Sequence, residues 1–465
     1  MASSLVFSVR RHDPVLVTPA KPTPHEFKLL SDVDDQQGLR FKMSMIHFFG
    51  HSPSRRGHDP GKVVKTALSK ALVFYYPLAG RLREGPNGKL VVECNAEGIV
   101  LVEADADVRL DQFGYLPRPP FPCEKELIYD VEGSAGAITG GPLFLIQVTR
   151  LKCGGFILAV RFNHVIADGL GLLQFLEAVT EMARGFDAPT VQPVWARELL
   201  VAPDKEHQQL TSTDSELTST PVRLQPAEED LVHRYFFFRP RDISALRTLV
   251  APHLRGGSSS RFELLMALIW RSRSIALFSD VPDEQVCAAF HVNGRGRSSP
   301  PSLPKGYYGN AFAVGVARST AGELSSQPLD YAVELVRRAK TSATLADFLE
   351  GRLCVTLADL DVPFRVGRTY LVSDVSSVAY NKLDLGWGKP VYSGPVVLAT
   401  WSAAGGHSKF VRCWNREGLE GGVVAPVCLP RMAMERFVAE MESIVKVPTA
   451  EEMESSLYSS VPSKL

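Results

Sequence analysis

The chain has 465 residues, more than one ordinary hydrophobic core accommodates, so two domains are expected. Hydrophobic residues at 45% and charged residues at 22% are globular proportions, and 51 basic residues balance 51 acidic ones. Zero net charge excludes long-range attraction to nucleic acid or an anionic membrane surface. No apolar run nears the roughly 18 residues of a membrane span.

The seven cysteines are scattered, odd in number and without a C-x-x-C pair. A structural zinc and a secreted disulfide framework are therefore not expected, and a reducing compartment fits better. Met1 to Arg11 lacks the apolar segment of a secretory signal. The chain closes on Ser463-Lys464-Leu465, the tripeptide read by the peroxisomal import receptor, so a peroxisomal location is expected.

In chain order, Val64, Ala67, Leu68, Ala71, Leu72 and Tyr75 recur at helical spacing before Pro77. Leu90–Cys94 and Ile99–Glu103, parted by Asn95-Ala-Glu-Gly98, predict a hairpin. Gly155–Val160 predicts a strand buried on both faces. An amphipathic helix follows, burying Leu172, Leu173, Leu176, Val179 and Ala183, with Gln174, Glu177 and Glu181 outward and Gly185 near its C-cap. A polar stretch over 201–225 predicts a crossover linker, dividing a domain over 1–200 from one over 226–465. Beyond it, helices are expected at Asp242–Ala251, Phe262–Leu277, Asp330–Lys340 and Arg431–Lys446. Strands are expected at Val286–His291, Asn310–Ala317, Tyr370–Val375 and Lys409–Asn415. Each half is thus mixed α/β.

The chemistry gathers at Asn163-His164-Val165-Ile166-Ala167-Asp168-Gly169, where a buried strand ends and a helix begins. Neutral imidazole, with an ordinary pKa of roughly 6.5, accepts a proton from an alcohol near neutrality. His164 is the one histidine of eleven with an Asp four residues on. On spacing alone, His164 is equally a hydrogen-bonded core histidine, and Asp168 equally a helix N-cap.

Other segments extend the pattern: Tyr76-Pro-Leu-Ala-Gly-Arg81, Ser260-Arg-Phe-Glu263 with Trp270-Arg271, Asn293-Gly-Arg295, Leu303-Pro-x-Gly-Tyr-Tyr-Gly-Asn310 and Asp384-Leu-Gly-Trp-Gly388. In this order and spacing, over nearly the whole chain, the sequence resembles the BAHD family of plant acyl-CoA-dependent acyltransferases. It departs at Leu385, where the family has Phe, a change that keeps an apolar side chain of fair size.

The resemblance implies two chloramphenicol-acetyltransferase-like α/β domains with mixed sheets and a channel between them. Acyl-CoA and an alcohol would meet there at His164. Asp168 is expected to pair with Arg295, because a buried carboxylate needs a partner; a solvated loop or a CoA-phosphate contact is the alternative for Arg295, as for Arg297. Asp384 is either a second proton-handling group or a brace of backbone amides. Ser260 is either a CoA contact or a helix N-cap. Ser373 and Asp374 match a stretch that lines the acceptor pocket in relatives.

The implied chemistry is direct transfer with His164 as general base. No G-x-S-x-G elbow, cysteine nucleophile or metal-ligand spacing is present in the sequence. No cofactor is expected beyond acyl-CoA as co-substrate, and a monomer is the expected state. Leu127–Ser134, Leu145–Gly155 and Pro193–Leu199 resemble the branch that includes benzyl alcohol O-benzoyltransferases. Benzoyl-CoA and benzyl alcohol are therefore the expected substrates. Acetyl, short aliphatic or hydroxycinnamoyl donors, or a non-catalytic acyl-CoA-binding protein, are the alternatives.

Overall fold

Two mixed sheets of seven strands each and a three-stranded sheet form among the described residues. The structure, a computed structural model, describes residues 5–114, 117–131, 138–202, 228–255, 259–296, 301–350, 368–402, 405–412 and 421–445. The expected linker over 201–225 lies outside the described residues except for Val201 and Ala202.

In the first sheet, Ile99–Ala106, Phe144–Leu151, Phe156–Asn163 and Lys42–Phe49 lie side by side, the first two parallel and the others antiparallel. The helices Pro60–Phe74 and Gly169–Ala183 cover one face and share its core. Each begins on a capping carboxylate: Asp59 accepts from Gly61 N at 3.0 Å, and Asp168 accepts from Leu170 and Gly171 N. Gly185 follows the second helix at φ +96°, a conformation that favours glycine. In this helix Gln174 turns inward rather than to water, donating to Tyr75 Oη at 3.1 Å and Gly306 O at 2.9 Å.

The second sheet runs Leu231–Phe238, Val423–Pro430, Gly405–Arg412, Thr369–Asp374, Gln285–Asn293, Phe312–Thr320. Its helices Arg261–Phe278, Leu329–Ser342 and Arg431–Ile444 lie where the sequence places them. Arg261–Phe278 is buried on most of its circumference, with Trp270 fully buried and the polar Glu263, Ser272, Arg273 and Ser274 also enclosed.

Alternation along the strands sets the layers. Met45 and Phe49 face the helix side of the first sheet, whereas Ile46 and Phe48 enter a separate cluster. Phe236 and Phe238 face the helices of the second half, whereas Tyr235 and Phe237 enter that same separate cluster. Each sheet therefore turns one face to its own helices and the other to the opposite half.

Two expectations require correction. Leu90–Glu93 and Ile99–Ala106 are strands but not a hairpin: the first pairs with Arg81–Glu84 and Phe27–Leu29, the second with the large sheet. Gly98 (φ +95°) sends its N–H to Ala79 O at 2.8 Å, which directs the chain between sheets instead of closing a turn. The second half is also not self-contained. Val378, Tyr380, Leu383, Leu385 and Trp387 lie in the first core, and Tyr392–Pro395 pairs antiparallel with Lys42–Phe49. Asp384–Gly388 thus sits on an arm inserted into the first half.

The halves approach so closely at Gly171 that a Cβ there would fall 2.0 Å from Tyr308 O, a backbone atom. Gly171→Ala should lower unfolding free energy by about 1–3 kcal/mol, read as a lower urea midpoint. An unchanged midpoint would show that this contact does not set the docking of the halves.

Candidate active site

His164 stands at the end of the buried strand Phe156–Asn163, where its N–H donates to Phe41 O at 2.9 Å and its carbonyl accepts from Asn310 Nδ2 at 2.8 Å. Its ring lies 5.1 Å from the Phe41 ring and 6.0 Å from that of Phe162, centroid to centroid. Nδ1 is buried without a hydrogen bond among the described residues. Nε2 has no such partner either among the described residues. Burial holds the ring's pKa below the ordinary 6.5 against the pull of Asp168, so the imidazole is neutral near pH 7.

Asp168 does not bond the imidazole. Oδ1 accepts from Leu170 N at 3.1 Å and Gly171 N at 2.9 Å, and Oδ2 from Ala311 N at 3.0 Å. Arg295 closes the set as a fork, Nη1 to Oδ2 at 2.7 Å and Nη2 to Oδ1 at 3.0 Å. Burial pushes this carboxyl up, but Arg295 and the amides outweigh it and hold it below 3.8. The cap and the ion pair are thus one arrangement. Arg295 also donates to Tyr307 O at 3.3 Å and to Gly309 O, so it grips the 303–310 motif as well.

A second buried ion pair holds the other side of the loop. Arg197 and Asp34, 1% and 0% exposed, meet at 2.7 Å. Arg197 Nη2 donates to Ile166 O at 2.7 Å, and its guanidinium lies 4.5 Å from the Trp195 ring centroid. Asp34 Oδ1 accepts from Asn310 N at 2.9 Å and Nδ2 at 2.8 Å, the amide that also reaches His164 O. The motif follows from this packing: a Cβ at Gly309 would fall 1.5 Å from Arg197 Nη1. The sequence assigns Asp34 and Arg197 no role, and Asn310 appears there only as the end of the 303–310 motif. A buried Asp pairs with an Arg 163 positions away, and no local spacing encodes that.

None of the remaining expected residues that the structure describes is hydrogen-bonded to the imidazole. Asp384 Oδ1 accepts from Gly386 N at 2.7 Å and Gly388 N at 2.9 Å, and no hydrogen bond or ion pair joins it to His164 among the described residues. Leu385 is buried in the first core, and Arg55 lies over Trp387 at 5.4 Å while donating to Gly386 O. Ser260 caps Arg261–Phe278, exchanging bonds with Glu263, and receives Lys340 Nζ at 3.1 Å. Asp374 bonds Ser376 N and Oγ at 2.9 and 2.5 Å. Ser373 bridges His291 and His407 at 3.0 and 3.2 Å. Arg297 and Ser463-Lys464-Leu465 lie outside the described residues.

The crystal structure of vinorine synthase shares this fold, with a TM-score of 0.70 at 24% identity over 94% of this chain and 99% of that one. The sequence model of the Transferase family matches residues 7–444, and the chain belongs to that family, the BAHD acyltransferases. It is similar to benzyl alcohol O-benzoyltransferase of Nicotiana tabacum, 50% identical over 454 residues, 96% of this chain and 95% of that protein. The Petunia hybrida protein of the same description is 50% identical over 453 residues, with the same coverage. The protein is an acyl-CoA-dependent O-acyltransferase.

A brace and a proton-handling group at Asp384 differ in what a neutral isostere does. Asp384→Asn keeps an oxygen for the amides of Gly386 and Gly388 and should retain most activity. Asp384→Ala should cost about 1–2 kcal/mol of stability. Loss of turnover in the folded Asn variant would make the carboxylate's charge essential.

Proposed function

We propose that the enzyme transfers the benzoyl group of benzoyl-CoA to benzyl alcohol, forming benzyl benzoate and CoA. The observation that carries this reading is the 50% identity, over 96% of the chain, to two benzyl alcohol O-benzoyltransferases. His164 Nε2 removes the hydroxyl proton as the alcohol oxygen attacks the thioester carbonyl. The C–O bond forms, the tetrahedral oxyanion collapses, the C–S bond breaks, and the imidazolium returns its proton to the thiolate. Atoms and charge balance without an acyl-enzyme, a metal or a cofactor beyond the acyl-CoA co-substrate. Asp168–Arg295 and Asp34–Arg197 act on this chemistry by fixing the loop that carries the imidazole. The working state is a monomer, and Ser463-Lys464-Leu465 directs it through the import receptor into the peroxisome.

The test is a donor-by-acceptor screen of the purified enzyme, read by thiol release and product mass. With benzyl alcohol as the acceptor, benzoyl-CoA should give the highest kcat/KM of the donors. Preference for acetyl-CoA, an aliphatic or a hydroxycinnamoyl donor would replace the substrate assignment, and thiol release without alcohol would indicate a hydrolase. Removal of the last three residues should leave the protein cytosolic; an unchanged distribution would refute the targeting.

His164→Ala should lower turnover about 10²–10⁴-fold. Because the base must be neutral, kcat/KM is retained above its pKa and lost as pH falls through it. Burial lowers that pKa, so the acid limb should lie below the roughly 6.5 of free imidazole. A limb centred at or above that value would count against His164 as the base in this environment.

A further inference from the structure

On the second sheet's face toward the first half lies a chain of side chains that proton transfer at His164 does not use. Ser373 Oγ is 3.0 Å from His291 Nδ1 and 3.2 Å from His407 Nε2. Alternation fixes the face: Phe290, Val372 and Phe410 pack toward the helices, while Ala289, Val314, Val316 and Leu371 form a small apolar cluster opposite. His291, Ser373 and His407 fall on the latter face. His291 meets Phe312 edge-on at 4.7 Å, and Phe312 belongs to the first core. The next residue back, Ala311, donates to Asp168, so the chain lies beside the His164 loop.

The chemistry of this chain is constrained. A serine hydroxyl has one proton, so it donates to one imidazole and accepts from the N–H of the other. The two outer nitrogens, His291 Nε2 and His407 Nδ1, then always present one donor and one acceptor. Neither outer nitrogen has a partner among the described residues, and neither is sealed from solvent. A purely structural bridge between strands needs only the inner nitrogens. Burial lowers His291 to about 4 and His407 to about 3, so both imidazoles are uncharged near neutrality. Lys409, on the same face, directs Nζ to Val397 O at 3.1 Å.

We propose that His291, Ser373 and His407 form a specificity-determining subsite for a second, neutral polar group on the acceptor, so that hydroxy- or methoxy-substituted benzyl alcohols are preferred to benzyl alcohol. The assignment to the acceptor rests on the benzoyl-donor reading, since a benzoyl ring carries no polar group for such a wall. A site built to hydrogen-bond a substrate hydroxyl discriminates strongly against the analogue that lacks it.

The experiment measures binding of benzyl alcohol, the three hydroxybenzyl alcohols and the methoxybenzyl alcohols to the full-length protein by ligand-observed NMR, with kcat/KM measured in parallel. At least one neutral substituted alcohol should bind about 10-fold more tightly than benzyl alcohol. Ser373→Ala and His407→Phe should each bring that ratio to about 1, whatever the absolute affinities. Equal binding of all the neutral alcohols to the wild type, or a preference that survives both variants, overturns the subsite. Failure of the benzoyl-donor reading shows separately, as absent thiol release from benzoyl-CoA with any alcohol, while the binding ratio still decides the subsite.

Discussion

Asp168 brings together three demands that a polypeptide usually meets at separate places. Its carboxylate starts a helix, takes the N–H of Ala311 from the other half, and neutralises the guanidinium of Arg295. A carboxylate so buried is costly unless each lone pair is used, and removing one member of a buried pair typically costs about 3–5 kcal/mol. The geometry of the loop from His164 to Asp168 is therefore inseparable from the docking of the halves. The loop that carries the imidazole is held through its backbone, His164 N–H on Phe41 O and its carbonyl on Asn310 Nδ2.

The Asp34–Arg197 pair works from the opposite side, and Asn310 links it to the His164 carbonyl. Between the two ion pairs the loop has little freedom to drift. Rigid placement of a single base matters when the reacting atoms must approach to about 3–3.5 Å. The small residues of the 303–310 motif are explained by the same crowding, since the guanidinium of Arg197 occupies the space a side chain at Gly309 would need.

Much of this was legible in the sequence, for identifiable reasons. The helix at Gly169–Ala183 announces itself through period and cap, and the need of a buried Asp168 for a cation points to Arg295 once the motifs are taken together. What escaped was long-range. The strand Lys42–Phe49 carries Ser44 and His47 among its apolar residues, which breaks both a continuous run and a clean alternation. The hairpin expected at Leu90–Glu103 fails because local pattern identifies strands but not the sheet each joins. Ser260 shows that one residue type serves capping and ligand contact alike: Glu263 stands within its own motif, whereas Lys340, 80 positions away, is out of reach of any local pattern.

The inserted arm carries an implication for how the chain reaches this state. Ser393 touches His47, a partner 346 positions earlier, and its strand completes the sheet edge formed by Lys42–Phe49. On the ribosome, that edge must wait with its backbone groups unpaired until most of the polypeptide has emerged. Open edges invite pairing with other chains, and distant pairings form slowly. The first half is consequently not an autonomous folding unit, and severing the two would leave an adhesive border rather than a smaller stable protein.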